Sequence, residues 1–194
     1  MAAVLSAPSM SGVGPRRVAL CAHPQAGAAI VQSITVEALI TRGGALGCRY
    51  ELRADTARLR IPRTGAGRRV AELWRHTCFE AFIAVPDTSA YYEFNFSPAL
   101  DWAAYRFEAY REGRAPPPLA QAPDISVHRG ADRLELTASV PLDSLALPAS
   151  ALRVALAAVI EDAQGRLAYW ALRHPPGKPD FHHPQSFTLE LART

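Results

Sequence analysis

The chain has little of what most often announces a chemistry. Its 194 residues contain three cysteines, Cys21, Cys48 and Cys78. Their number is odd, they lie far apart, and they show neither CxxC nor Cys/His spacing, which argues against a disulfide framework or a zinc site and for reduced thiols in a cytoplasmic setting. Each is expected to act as a small buried apolar residue. The GxGxxG, P-loop, nucleophile-elbow and HExxH patterns are missing, and with them the marks of dinucleotide, nucleotide, α/β-hydrolase and metalloprotease sites. A Ser-His-Asp or Cys-His site assembled from distant residues stays open, but no pattern nominates one. No apolar run approaches the ~20 residues of a membrane span. The N-terminal "MAAVLSAPSMSGVGPRR" has neither the charged n-region nor the unbroken apolar stretch of a secretory signal. Charge of one sign is scarce too: the net charge is +3 and the arginines are scattered among acids, unlike a nucleic-acid arm.

What is present reads as a single globular domain. A hydrophobic content of 49% with 20% charged residues suits a soluble core, and the length suffices for one domain. Residues 1–16 are expected to form a disordered lead-in, and 17–194 the domain. "IVQSITVEALIT" alternates apolar with polar or small residues and stops at Gly43-Gly44, as a strand and turn would. "CFEAFIAV" and "YYEFNFS", separated by "PDTSA", predict an antiparallel hairpin. "DWAAYRFEAYREG" fits a helix or a strand, and its neighbours favour a strand. "APPPLAQAP" is excluded from helix interiors and central strands. "ISVHR" with "RLELTASVPL", and "LRVALAAVIED" with "LAYWALR", predict two further hairpins. "LDSLALPAS" is expected to be a loop with a helical turn, and "SFTLEL" a last strand. About ten short strands separated by Gly, Pro and Asp turns, with little helix, predict an all-β fold: an antiparallel β-sandwich of jelly-roll or immunoglobulin-like type.

Successive strand residues point to opposite faces, so Tyr92, Phe94 and Phe96 share one face while Tyr91, Glu93, Asn95 and Ser97 share the other. Glu80 likewise interrupts the row of Cys78 and Phe82. A solvated sheet face would explain this alternation without any function. Three tryptophans, Trp74, Trp102 and Trp170, each flanked by polar or charged residues, suggest more. Indole rings beside carboxylates and an amide can hold a sugar, the ring against C–H faces and the polar groups on adjacent hydroxyls. Each tryptophan taken singly also suits a core anchor.

"LWRHTCFEAFIAV", "YYEFNFSPALDWAAYRFEAYREG" and "YWALRHPPGKPDFHHPQSF" resemble the DOMON-like proteins related to family 9 carbohydrate-binding modules, over most of the chain from about residue 30. The resemblance implies a β-sandwich with a loop-rimmed cleft that grips a sugar between two aromatic rings. Trp74 and Glu80 match the family's tryptophan and strand acid, and Asn95 matches the asparagine of its Arg-x-Asn. Glu93 stands where the family has the arginine, "RHTCF" replaces its acidic turn, and Trp170 is the counterpart of its second stacking ring. Relatives in this group also bind haem, which needs axial His or Met. Met1 and Met10 fall in the lead-in, leaving His76, His174, His182 or His183.

The loop "HPPGKPDFHHPQSF" is expected to fold over the sheet near Trp74 and Glu80. Its four prolines lower the entropy cost of ordering it, as a preformed rim requires. Arg173, His174, Lys178, Asp180, His182 and His183 are then rim donors and acceptors. A purely structural corner, with Asp180 paired to Lys178 or Arg173, explains the same residues. A metal on His174, His182 and His183 is set aside, because adjacent histidines before a proline seldom converge on one ion. The reading is a non-catalytic domain that binds a small molecule, a carbohydrate, without cofactor, nucleic acid or membrane; the sequence carries no mark of an oligomeric state. Three alternatives stand beside it: an enzyme acting on a carbohydrate with Glu80 paired to Glu93 or to a loop histidine, a haem-binding domain, and a structural or interaction domain.

Overall fold

In the computed structural model, residues 14–25, 30–63, 65–145, 147–148 and 151–193 are described. The expected lead-in lies outside them up to residue 13, and the last residues assigned to it do not all belong there, because the first strand, β1, runs Arg16–Ala22. The strands that follow are β2 (Val31–Ile40), β3 (Ala45–Ala54), β4 (Cys78–Ala84), β5 (Tyr91–Phe96), β6 (Trp102–Phe107), β7 (Asp124–Arg129), β8 (Arg133–Pro141), β9 (Leu152–Glu161), β10 (Leu167–Ala171) and β11 (Leu189–Leu191). The only helical pieces among the described residues are single 3-10 turns at Thr56–Arg58, Leu73–Arg75 and Pro184–Ser186. The helical turn expected in "LDSLALPAS" falls partly outside the described residues.

All strand pairs are antiparallel, and hydrogen bonding joins them in the order β6-β5-β4-β9-β10-β1-β2-β3-β8-β7, with β11 added to β9. The expected all-β antiparallel class holds, and the strands form one continuous sheet curled on itself. β1 is the seam: Arg16 to Leu20 pair with β2, while Cys21 and Ala22 pair with β10. The curl brings both halves onto one core. Ile34, Val36, Tyr50, Leu52, Leu134 and Leu136 from one half meet Phe79, Ile83, Phe94, Phe96 and Leu156 from the other. Across that interior the Tyr50 hydroxyl donates to the Glu80 carbonyl at 2.8 Å, and the Tyr50 and Phe79 rings lie 5.1 Å apart. Every second residue of β2, β3 and β8 enters this core, so the period-two pattern of the sequence maps directly onto a face.

β4, β5 and β9 differ, because they are buried on both faces. On their outer side Phe82, Tyr91, Phe107 and Val159 form a second apolar cluster, closed by Phe181 and Phe187 from the β10–β11 connection. Burying each of those two rings is worth about 1.5–3 kcal/mol, which is what holds the proline-rich connection down. The polar alternation of β5 is therefore not a solvated face.

The cysteines divide. Cys48 and Cys78 are buried as expected, but Cys21 is exposed, because it sits on the short stretch of β1 that passes from one half to the other.

Candidate functional site

The two polar residues of β4 and β5 reach the same cavity. Glu80 opposes Asn95 across the ladder and Phe82 opposes Glu93, so both carboxyls lie on the outer face as diagonal neighbours. They sit on the floor of a cavity of about 630 Å³. Tyr105 and Phe107 of β6, Val159 of β9 and Tyr169 of β10 continue that floor into its walls. The strand pairing explains the selection, since Glu93 faces Tyr105, Tyr91 faces Phe107, and Tyr169 faces Val159, all on one side of the sheet. Above the floor stand Trp74 from the Leu73–Arg75 turn, Arg111 and Arg114 from the connection after β6, and Lys178, Pro179, Phe181 and His182 from the loop after β10. The loop folds over the sheet beside Trp74 and Glu80.

Both carboxyls are almost wholly enclosed, Glu80 at 2% and Glu93 at 4% exposure. Burial, reinforced by the charge of Glu93, pushes Glu80 well above the usual carboxylate range, against an opposing pull from Arg111. Burial pushes Glu93 up to about 7, against its hydrogen bond from Asn95 and the fields of Arg111 and Arg114. The Asn95 amide donates to Glu93 Oε1 at 2.8 Å, and Asn95 lies behind the carboxyl rather than on the cavity wall. Among the described residues, Glu80 Oε1 and Asn95 Oδ1 are buried with no hydrogen-bond partner. An unpartnered buried acceptor costs stability, and an acceptor on a cavity floor finds its partner in whatever enters the cavity.

His182 ties the loop to this floor. Its ring packs edge-on against Phe82, Tyr91 and Phe107. Burial, with the nearby charge of Arg111, lowers its pKa to about 4, so the ring is neutral near pH 7. The Tyr91 hydroxyl accepts from the backbone N–H of Arg111 at 3.1 Å and is hydrogen-bonded to His182 Nδ1 at 2.8 Å. The other ring nitrogen, Nε2, stands 4.0 Å from Glu93 Oε2. Asp180 fixes the same loop. It accepts from the Tyr110 hydroxyl, from the Arg111 guanidinium at 2.9 Å and from the His182 backbone N–H at 3.1 Å. Burial works against its ionisation, but these bonds outweigh it and hold the Asp180 pKa below its usual value. The partner of Asp180 is thus Arg111, from a different connection, and not Lys178 or Arg173. Arg111 itself sits at φ 58°, in the left-handed region that costs a branched-off side chain about 1–2 kcal/mol. The turn is completed by Gly113 at φ 64°, where a Cβ would meet the Glu108 side chain at 2.7 Å.

Of the residues expected from the sequence, Trp74, Glu80, Glu93, Lys178 and His182 line the cavity, with Asn95 and Asp180 directly behind it. Trp74 is 41% exposed, with the Arg75 guanidinium 5.4 Å from its ring centre. Trp170 is displaced from the expected arrangement. It points to the opposite side of the sheet, into the main core, and its Nε1 has no partner among the described residues. Its neighbour Tyr169 takes the wall instead, because β10 is registered with Tyr169 opposite Val159 and Trp170 opposite Ala158. The cleft between two indoles is therefore not formed. His174 lies off the cavity, with Nε2 2.8 Å from the Cys21 carbonyl and its ring 4.8 Å from His23. Arg173 is exposed and makes no ion pair among the described residues. Of the histidines a haem would call on, His76 bonds Glu161 at 2.7 Å and His183 accepts from the Gln185 N–H at 3.2 Å, leaving His182 as the one histidine on the cavity wall. No group of three or more His, Cys, Asp or Glu capable of holding a metal occurs among the described residues.

Sequence reasoning missed Arg111, Arg114, Tyr105, Phe107, Tyr169 and Phe181. Period-two counting across the β5–β6 pair would have found Tyr105 and Phe107. Tyr169 needed the register with β9, and the arginines needed the 69-residue contact between Arg111 and Asp180.

No protein-family model matches the chain, and no curated protein matches it. Among solved structures, a putative carbohydrate-binding protein from Bacteroides uniformis is similar over 89% of this chain and 84% of its own, at 15% identity and a TM-score of 0.66. A family 9 carbohydrate-binding module from Caldicellulosiruptor kristjanssonii, in complex with cellotriose, is similar over 82% of this chain and 74% of its own, at 11% identity and a TM-score of 0.50. At such identities the likeness establishes the fold. Among the described residues, no helix is long and apolar enough to cross a membrane.

Proposed function

We propose that the protein is a carbohydrate-binding domain, of the DOMON-like kind related to family 9 modules, and that its sugar occupies the cavity over β4, β5 and β6. The carbohydrate-binding descriptions of the fold neighbours support this ligand class. The observation that carries the reading within this chain is the enclosed polar floor, on which Glu80 Oε1 is buried and lacks a partner beneath a rim that includes an exposed indole. Sugar hydroxyls both donate and accept, so adjacent hydroxyls can engage a neutral carboxyl and a carboxylate side by side. Trp74 and Tyr169 offer ring faces for C–H contact. The likeness to a two-indole clamp is replaced by an indole and a phenol. Titration calorimetry and tryptophan fluorescence against glucose, cellobiose and other mono- and disaccharides test the reading. Heat and a fluorescence change lost in Trp74→Ala support it. Silence in both measurements across the panel overturns it.

A second reading is favoured by one specific observation. Two buried carboxyls with raised pKa values share one cavity, the condition under which one serves as general acid and the other as base. Release of nitrophenol from aryl glycosides, abolished in Glu80→Gln and in Glu93→Gln, would establish a glycosidase. Its absence at all pH values from 5 to 8, with sugar binding intact, leaves the binding domain.

A further inference from the structure

The charges at the mouth of the cavity do not balance. Arg111 is neutralised by Asp180 at 2.9 Å. Arg114 and Lys178 line the same cavity, and among the described residues neither makes a salt bridge or a side-chain hydrogen bond. Arg114 is nevertheless positioned, its guanidinium carbon 5.2 Å from the centre of the Tyr105 ring, against the wall that continues from Glu93. A guanidinium held at an aromatic ring keeps its in-plane N–H donors for a planar anion. Lys178 follows Gly177, whose φ of 106° only glycine adopts readily, and precedes Pro179, in a connection closed on the sheet by Phe181 and Phe187. Its ammonium is presented by a constrained turn rather than by a loose tail.

The floor does not cancel these two cations. Glu80 stays protonated well beyond the ordinary carboxylate range, and Glu93 carries at most a partial charge near pH 7. The field of Arg114 reaches Glu93 through space, although among the described residues the two form no ion pair. The cavity thus combines hydroxyl-binding groups below with unpaired cations above.

On the carbohydrate reading given above, we infer that the ligand is an acidic sugar, whose carboxylate or phosphate is held by Arg114 and Lys178 while its hydroxyls reach Glu80 and Glu93. A neutral sugar would leave two cations at the cavity mouth without a salt-bridge partner among the described residues. Charge-assisted bonds to an arginine fork and an ammonium favour the acidic form by about tenfold or more.

Calorimetric titration of the full chain with glucose, glucuronate and glucose 6-phosphate tests the inference. The expected result is tighter binding of at least one acidic sugar by about tenfold over glucose, with that preference weakening as salt is raised. In the double variant Arg114→Gln/Lys178→Gln the ratio of acidic to neutral affinity should fall to about one. Both side chains are exposed, so folding is checked by circular dichroism, and the salt dependence of the unaltered protein stands as an independent readout. Which acid binds better identifies the carboxylate or the phosphate as the natural group. Equal binding of all three sugars, or a preference unchanged in the double variant, overturns the inference and leaves the carbohydrate reading standing. Failure of every sugar, acidic and neutral, removes both.

Discussion

The two faces of β4 and β5 are made from the same thirteen residues, are buried almost equally, and do opposite things. The inner face, with Phe79, Ala81, Ile83, Tyr92, Phe94 and Phe96, is apolar and packs against the far half of the curled sheet. The outer face places Glu80, Glu93 and Asn95 among Phe82 and Tyr91 under a proline-rich lid. Burial alone therefore does not distinguish core from site. The distinction lies in what the enclosed polar atoms border: among the described residues Glu80 Oε1 has no partner and lies on a cavity floor, whereas the equally unpartnered Trp170 Nε1 lies in the core. The inner face carries no carboxyl or amide side chain and stabilises; the outer face gives up stability to hold acids out of water.

That contrast can be broken most forcefully from the inside. Phe94→Ala should cost about 3–5 kcal/mol, read as a lowered denaturant midpoint with unchanged slope, because the ring is fully enclosed between the two halves. A cost below 1 kcal/mol would mean that the inner face is not the structural one.

Next in size is the penalty of the outer acids. Below pH 4.5 Glu93 is protonated in both the folded and unfolded chain and contributes nothing. Between 4.5 and about 7 the unfolded chain releases the proton that the folded chain still holds, so stability falls as pH rises, and the loss is complete above the folded value. Spread over that window, the loss is on the order of 3 kcal/mol. Glu80, Arg111, Arg114, His182 and Cys78 share the surroundings of this carboxyl, and the arginines already lower the value. Glu93→Gln should therefore flatten the pH dependence of the melting temperature and be more stable relative to the unaltered protein at pH 8 than at pH 5. Parallel pH profiles would contradict the burial of that charge.

The lid is the third lever. Asp180→Ala removes the bonds from Tyr110, Arg111 and the His182 backbone, and should cost about 2 kcal/mol. Hydrogen exchange should rise in the segment around His182 while β2, β3 and β8 stay protected. Uniform loss of protection would show that the lid is part of the global fold rather than a local unit.

The smallest effect belongs to the rim. Trp74→Ala, on an indole 41% exposed, should leave stability within about 0.5 kcal/mol. Trp170→Ala, in the core, should cost several times more. Equal costs would return Trp170 to the role of a site residue.

These two tryptophans also mark how far the sequence could be read. The alternation in "CFEAFIAV" and "YYEFNFS" was legible as two faces, because side-chain direction in a strand is local. So were the hairpins that carry them. Trp170 was not legible, since one register step separates it from Tyr169 and only the pairing with β9 decides which of the two enters the core. β1 was hidden for a different reason. Its "RRVALCA" has five residues exposed and none of the clean alternation that marked β2. The lid's composition suggested rigidity, but its true anchor, Arg111, lies in a turn whose left-handed backbone no local pattern of non-glycine residues announces.

Lys178 is the sole lysine in the chain. The mouth of the cavity therefore carries the only side-chain amine on the molecule, so reductive alkylation of the ε-amine, which keeps its charge, would place a single fluorophore there and turn occupancy into an optical signal.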